Sequence, residues 1–205
     1  MSEPNKKPNQ VPESYSPAKP EILSMAEPLQ HERVVEVIRF NNAVFEVVER
    51  PETVWVGSIA YANNNFDEPD MGALLKRFQD LVYVAPKEDR INPDWDAAIS
   101  INYGKNGKAP KGMMYGQETY SAEKQDKRND LFTQPGGLWM RVFNDRQAAA
   151  LIGKDSCHTW ELFGYIRETA APRNGYKVRD DIDVAVEYHN YKNNTWYAYM
   201  PVEKI

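Results

Sequence analysis

An apolar stripe at Met71, Leu74, Leu75, Phe78, Leu81 and Val82 repeats at three- and four-residue steps, the spacing of one helical face. Its position constrains the fold as much as its period does. It follows a β-branched and aromatic run over residues 53–62 and precedes two further strand-like runs, 97–103 and 113–121. A second stripe at Trp160, Phe163 and Ile166, ended by Pro172 and Gly175, is also followed by two strands. The chain therefore reads strand-helix-strand-strand twice. Such helices must bury their stripes against a sheet, which predicts an α+β fold with helices on one face of an antiparallel sheet.

Around this frame the local signals are mixed. Residues 1–28 are rich in Pro, Ser, Glu, Lys and Asn, so they bury too little apolar surface to offset ordering and read as a disordered tail. The remainder, 29–205, reads as one domain with halves at about 44–121 and 131–205. Asn41-Asn42 between two β-branched runs fits a tight hairpin, although Val34, Val37 and Ile38 also fit a short helix. Pro51-Glu52 breaks the chain before the 53–62 strand. Residues 63–70 form a polar loop in which Asp67 or Asp70 caps the helix that follows. Charged residues 122–130 separate the halves, and Gly136-Gly137 opens a strand at 138–144.

Composition narrows the function. Lys and Arg total 25 against 30 Asp and Glu, a net charge of −5, which disfavours nucleic acid as a direct partner. A single Cys, Cys157, and three scattered His (His31, His158, His189) give no disulfide framework and no metal-ligand set. No apolar run reaches the length of a membrane span, and the N-terminus lacks a signal-peptide core, so a cytoplasmic location is expected. Twelve Tyr and five Trp exceed what a minimal core needs and suit recognition of an organic ligand.

The closing block, 176–205, carries the main candidate residue. Strand alternation over 182–189 puts Asp183, Ala185, Glu187 and His189 on one face and Ile182, Val184, Val186 and Tyr188 on the other. The second set is expected to be the helix-packed core, leaving Glu187 facing solvent or a groove. A buried carboxylate there is costly unless it meets a cation.

These features, in this order, resemble the GyrI-like effector-binding domains. The residues that carry the resemblance are Val47-Val48-Glu49-Arg50-Pro51 leading to Trp55-Val56-Gly57, the 71–82 helix, and the 98–103 strand with Gly104. Tyr115-Gly116, Gly136-Gly137-Leu138-Trp139, Val186-Glu187 and Tyr199-Met200-Pro201-Val202 complete the set. The resemblance covers about residues 44–205. It implies tandem strand-helix-strand-strand units related by pseudo-two-fold symmetry. It also implies helices on one sheet face and, on the other, a groove holding small molecules against a central Glu, here Glu187. His189 stands where the family usually has Tyr, and the 145–157 segment is longer. No helix-turn-helix pattern precedes residue 44, so a stand-alone copy is expected.

The expected ligand-binding set is Glu187, Trp55, Tyr103, Tyr115, Trp139, Trp160, His189 and Tyr199, with no catalytic residue, cofactor or metal assigned. The expected function is sensing or sequestering amphipathic organic compounds, cationic ones included. Two alternatives stay open: hydrolysis of cyclopropane-bearing toxins with Glu187 as general base, and modulation of a protein partner such as a topoisomerase. The sequence sets no oligomeric state.

Overall fold

The computed structural model describes residues 31–62, 76, 80, 87–102, 111–190 and 192–205. Of the helix expected over 71–82, only Lys76 and Asp80 are described, and both are helical. The 1–28 tail, the 63–70 loop and Tyr103 lie outside the described residues.

The chain begins with a hairpin of β1 (Arg33–Phe40) and β2 (Ala43–Arg50). Asn41 and Asn42 turn it with φ of 47° and 72°, the doubly left-handed geometry of a two-residue hairpin loop. This excludes the short-helix alternative for Val34, Val37 and Ile38. Next come β3 (Thr53–Ala62), β4 (Trp95–Ile101), β5 (Lys111–Thr119), β6 (Asp130–Gln134) and β7 (Gly137–Phe143). Helix α1 (Arg146–Leu151) and helix α2 (Thr159–Tyr165) follow. A π turn (Ile166–Ala170) carries α2 into α3 (Ala171–Arg173), and β8 (Tyr176–Val178), β9 (Val184–Asn190) and β10 (Thr195–Lys204) close the chain.

Strand β6 and helix α1 were not anticipated. The 145–157 insertion houses α1, whose N-cap Asp145 accepts a hydrogen bond from the Ala148 amide at 2.8 Å. The π turn has a local cause. Pro172 has no N–H to donate, and its ring crowds the carbonyl one turn back, so the helix widens before it.

Nine strands form one path, β1-β2-β7-β10-β9-β4-β5-β3-β6, and β8 pairs with β10. Every strand pairing among the described residues is antiparallel. Strands β4 and β9 join the halves at the centre. Each half also lends a strand to the other, because β2 pairs with β7 and β6 with β3. The register runs without a slip from Phe45–Val142 through Arg50–Gly137 and Thr53–Gln134 to Gly57–Asp130. Thus β2–β3 and β6–β7 form one long ribbon, bent at Pro51-Glu52 and Pro135-Gly136, which brings the two ends of the sheet together. The bends touch closely: a Cβ on Gly136 would lie 2.8 Å from the Glu52 amide nitrogen, so only glycine fits there.

Among the described residues the curled sheet has two cores. One lies between the sheet and α2, where Phe45, Met140, Val142, Ala185, Ala198 and Met200 meet Leu162, Phe163 and Ile166. Burying side chains of this size stabilises by roughly 1.5–3 kcal/mol each. The other lies on the opposite face, inside the curl, and contains Trp55, Trp139, Val184, Val186, Tyr188 and Tyr199. The expected face assignment of β9 is therefore reversed. Val184, Val186 and Tyr188 fill the enclosed aromatic core, whereas Ala185 packs against the helix and Glu187 shares its face. Ile182 precedes the strand and only borders the aromatic core.

Candidate functional site

Glu187 sits mid-strand on β9, opposite Ala98 on one side and Ala198 on the other. Small neighbours leave space above it. The N-terminus of α2 occupies part of that space. With Asn144, Cys157, His158, Thr159 and Trp196, Glu187 lines a pocket of about 120 Å³. The loop before α2 is fixed by its own polar groups. Asn144 Nδ2 donates to the Cys157 carbonyl at 2.9 Å and to Thr159 Oγ1 at 3.0 Å, and the His158 amide donates to Glu161 Oε2 at 2.9 Å. Thr159 lines the same pocket beside the Glu187 carboxylate.

Burial raises the Glu187 pKa above its ordinary value, opposed by His158 and Thr159 and assisted by Asp96. No lysine or arginine pairs with it among the described residues. Tyr115 flanks the same surface across Ala98, and burial together with Glu187 and Asp96 pushes its hydroxyl up to about 12. His189 lies beside the pocket, its ring stacked on Trp196 at 3.6 Å between centroids and its Nδ1 3.6 Å from Asp96 Oδ1. Burial raises Asp96 as well, and His189 opposes the shift.

Of the expected set, Glu187, Tyr115 and His189 therefore share one surface. Trp55, Trp139 and Tyr199 do not join them, because they are fully buried in the aromatic core on the other side of the sheet. Trp160 is 57% exposed on α2 and stacks only on His158 among the described rings, at 6.2 Å. Four pocket residues, Asn144, Cys157, Thr159 and Trp196, were not anticipated, nor was His158. The one signal for them is His158 followed three residues later by Glu161 just ahead of an apolar stripe, a helix-start pattern.

The aromatic core holds a second unanticipated cluster, in which Arg50 and Arg141 face Glu32, Glu46 and Glu118. Arg50 Nη2 lies 2.9 Å from both oxygens of Glu118, and Arg50 Nε lies 3.0 Å from Glu32 Oε1. Arg141 bonds Glu46 through Nε at 2.8 Å and Nη2 at 2.6 Å, and reaches Glu32 Oε2 through Nη1 at 2.5 Å. Tyr188 donates to Glu118, as does Thr53 at 2.5 Å. The Arg50 guanidinium lies 5.4 Å from the Tyr188 and Tyr199 centroids and 5.7 Å from Trp139, within cation–π range. Burial works against the Arg50 charge, yet Glu118 and Glu32 hold its pKa above the usual value. For Glu32 burial wins over both arginines, and its pKa is raised.

Neither a protein-family model nor a curated protein matches the chain. Solved structures do. An integron cassette protein from the mobile metagenome of Vibrio cholerae is 14% identical, with 84% of this chain and 98% of that one covered at a TM-score of 0.50. SAV2435 bound to tetraphenylphosphonium is 12% identical, with 78% and 93% covered at a TM-score of 0.54. At such identity the likeness is one of fold: an α+β, mostly antiparallel sheet that fits the GyrI-like expectation. Among the described residues no helix is long and apolar enough to cross a membrane.

Proposed function

We propose that the protein is a GyrI-like binder of amphipathic organic cations, with Glu187 receiving the cationic group. The observation that carries this reading is a desolvated carboxylate, paired with no lysine or arginine among the described residues, facing a pocket beside an indole. A cation there would supply the missing counter-charge and would lie against the Trp196 ring system. The pocket is well below the roughly 300–1,000 Å³ of a pocket that encloses a drug-sized ligand. A bulky cation therefore rests over the pocket mouth with its charge held near Glu187, its apolar groups lying across the surface bounded by Tyr115 and His189. The ligand-bound state of a protein with this fold supports the same class of compound.

Simple binding is favoured over covalent catalysis. Burial and Glu161 raise the Cys157 thiol above its ordinary value, the opposite of what an activated nucleophile needs. The test is calorimetric titration with tetraphenylphosphonium. Glu187→Gln keeps the shape and removes the charge, so binding weakens by about 1–3 kcal/mol, the scale of a charge-assisted contact. Equal affinity in the two proteins would reject Glu187 as the cation's partner.

A further inference from the structure

The buried arginine cluster on the other face of the sheet is separate from the Glu187 pocket. Among its carboxylates, Glu32 is unlike the rest. Glu46 and Glu118 project from β2 and β5 inside the sheet, and each is matched to one guanidinium. Glu32 lies just before edge strand β1, whose residues are exposed apart from Ile38 and the half-buried Phe40. Its side chain nevertheless reaches inward, is only 1% exposed, and bridges both arginines. It is also the surplus charge: without it, Arg50–Glu118 and Arg141–Glu46 balance.

The fit of Glu32 is incomplete. Its Oε1 lies within ion-pair distance of Arg50 but makes no aligned hydrogen bond, and Arg50 Nη1 and Trp139 Nε1 are buried donors with no acceptor among the described residues. Buried donors normally find partners, so the cage offers more donors than Glu32 uses. Beside it, His31, Arg33, Glu49, Arg50 and Pro51 line a surface cavity of about 500 Å³, so Arg50 is common to the cage and to this cavity.

We infer that Arg50, Arg141 and the Tyr199 hydroxyl form a carboxylate-binding site that Glu32 occupies as an internal ligand, and that an external aromatic carboxylate takes its place. The geometry is that of a carboxylate, since Glu32 Oε2 already accepts from Arg141 Nη1 at 2.5 Å and from Tyr199 at 3.2 Å. A monoanion suits the site better than phosphate, because Glu46 and Glu118 remain and a second negative charge in so dry a place is strongly disfavoured. The aromatic preference comes from the walls, Trp139, Tyr188 and Tyr199. Exchange displaces the Glu32 side chain and leaves both internal ion pairs, Arg50–Glu118 and Arg141–Glu46, in place.

The test uses the full chain, Glu32→Ala and Glu32→Gln, with sodium benzoate, acetate, phosphate and chloride at matched ionic strength. Glu32→Ala should melt below wild type, with benzoate restoring most of the loss, acetate less, and phosphate and chloride none. Wild type should bind benzoate, read by tryptophan fluorescence, on the order of tenfold more weakly than Glu32→Ala because Glu32 competes. Glu32→Gln, which keeps the side-chain volume, gives the same comparison if the alanine variant does not fold. A variant that benzoate stabilises no more than chloride would overturn the proposal. So would equal benzoate affinity in wild type and variant, phosphate outperforming benzoate, or wild type that binds no benzoate.

Discussion

Replacing Arg50 by methionine probes the buried cluster that closes the curled sheet. Methionine fills much of the same volume but leaves Glu118 without its 2.9 Å partner and Glu32 without its 3.0 Å partner, in a site where the three side chains are 1–3% exposed. It also removes the cation from above three aromatic rings. Removing one partner of a buried pair typically costs about 3–5 kcal/mol, because a charge stays behind without compensation. At roughly 2–4 °C per kcal/mol for a domain of this size, melting should fall by about 6–20 °C. Arg50→Met with Glu118→Met should recover much of that loss, since exchanging a whole buried pair for apolar groups is often close to neutral. The deficit of the single variant should also shrink as pH falls, because Glu32, its pKa already raised by burial, loses the Arg50 charge that favours its ionised form and takes up a proton more readily. Urea and thermal unfolding at pH 7 and pH 5 measure all three effects. A single variant within about 1 kcal/mol of wild type would refute the view that these charges depend on one another.

Other positions test the fold and the pocket separately. Gly57 faces Gly116 across β3 and β5, and a Cβ there would fall 1.9 Å from the Tyr115 carbonyl oxygen, so Gly57→Ala should express poorly or melt far below wild type; near-normal melting would contradict the strand spacing. Trp160→Ala, at an exposed ring touching only His158 among the described rings, should change stability by no more than about 0.5 kcal/mol and leave cation affinity unchanged. A large loss of affinity on titration would extend the site onto α2. The pKa of Glu187 is raised in the folded protein, so its contribution to stability is complete below the ordinary value of 4.5 and is lost as pH rises through the folded value. Glu187→Gln should therefore be at least as stable as wild type at pH 7, and melting curves across pH 4–8 should show a shallower decline in the variant.

What the sequence revealed and what it hid follow from the range of each interaction. The Asn41-Asn42 turn, the helix carrying Phe163 and Ile166 and the two closing strands are local patterns and stand where residue chemistry places them, whereas Trp160, read as part of the same stripe, turns out to solvent. Glu187 was legible because a lone carboxylate interrupts an apolar strand. Its face is the reverse of the expected one because the more hydrophobic set, Val184, Val186 and Tyr188, looks like the side a helix should cover. The helix instead rests on small residues, Ala185 and Ala198, which let it approach, and the bulky set fills the inside of the curled sheet. The same curl takes Trp55, Trp139 and Tyr199 away from Glu187. The arginine cluster left no local trace, because its partners lie 68, 95 and 109 residues apart and meet only when the β2–β3 and β6–β7 ribbon bends.

The central claim, that Glu187 supplies the charge for a cationic ligand, is tested most directly by the pH dependence of tetraphenylphosphonium affinity in wild type and Glu187→Gln. A cation favours the ionised carboxylate, so binding must draw the proton off Glu187. The account predicts that wild-type affinity tightens as pH rises from below 4.5 towards 7, while the variant stays weak and flat across the same range. Parallel pH profiles in the two proteins, or wild-type affinity that ignores pH, would contradict it.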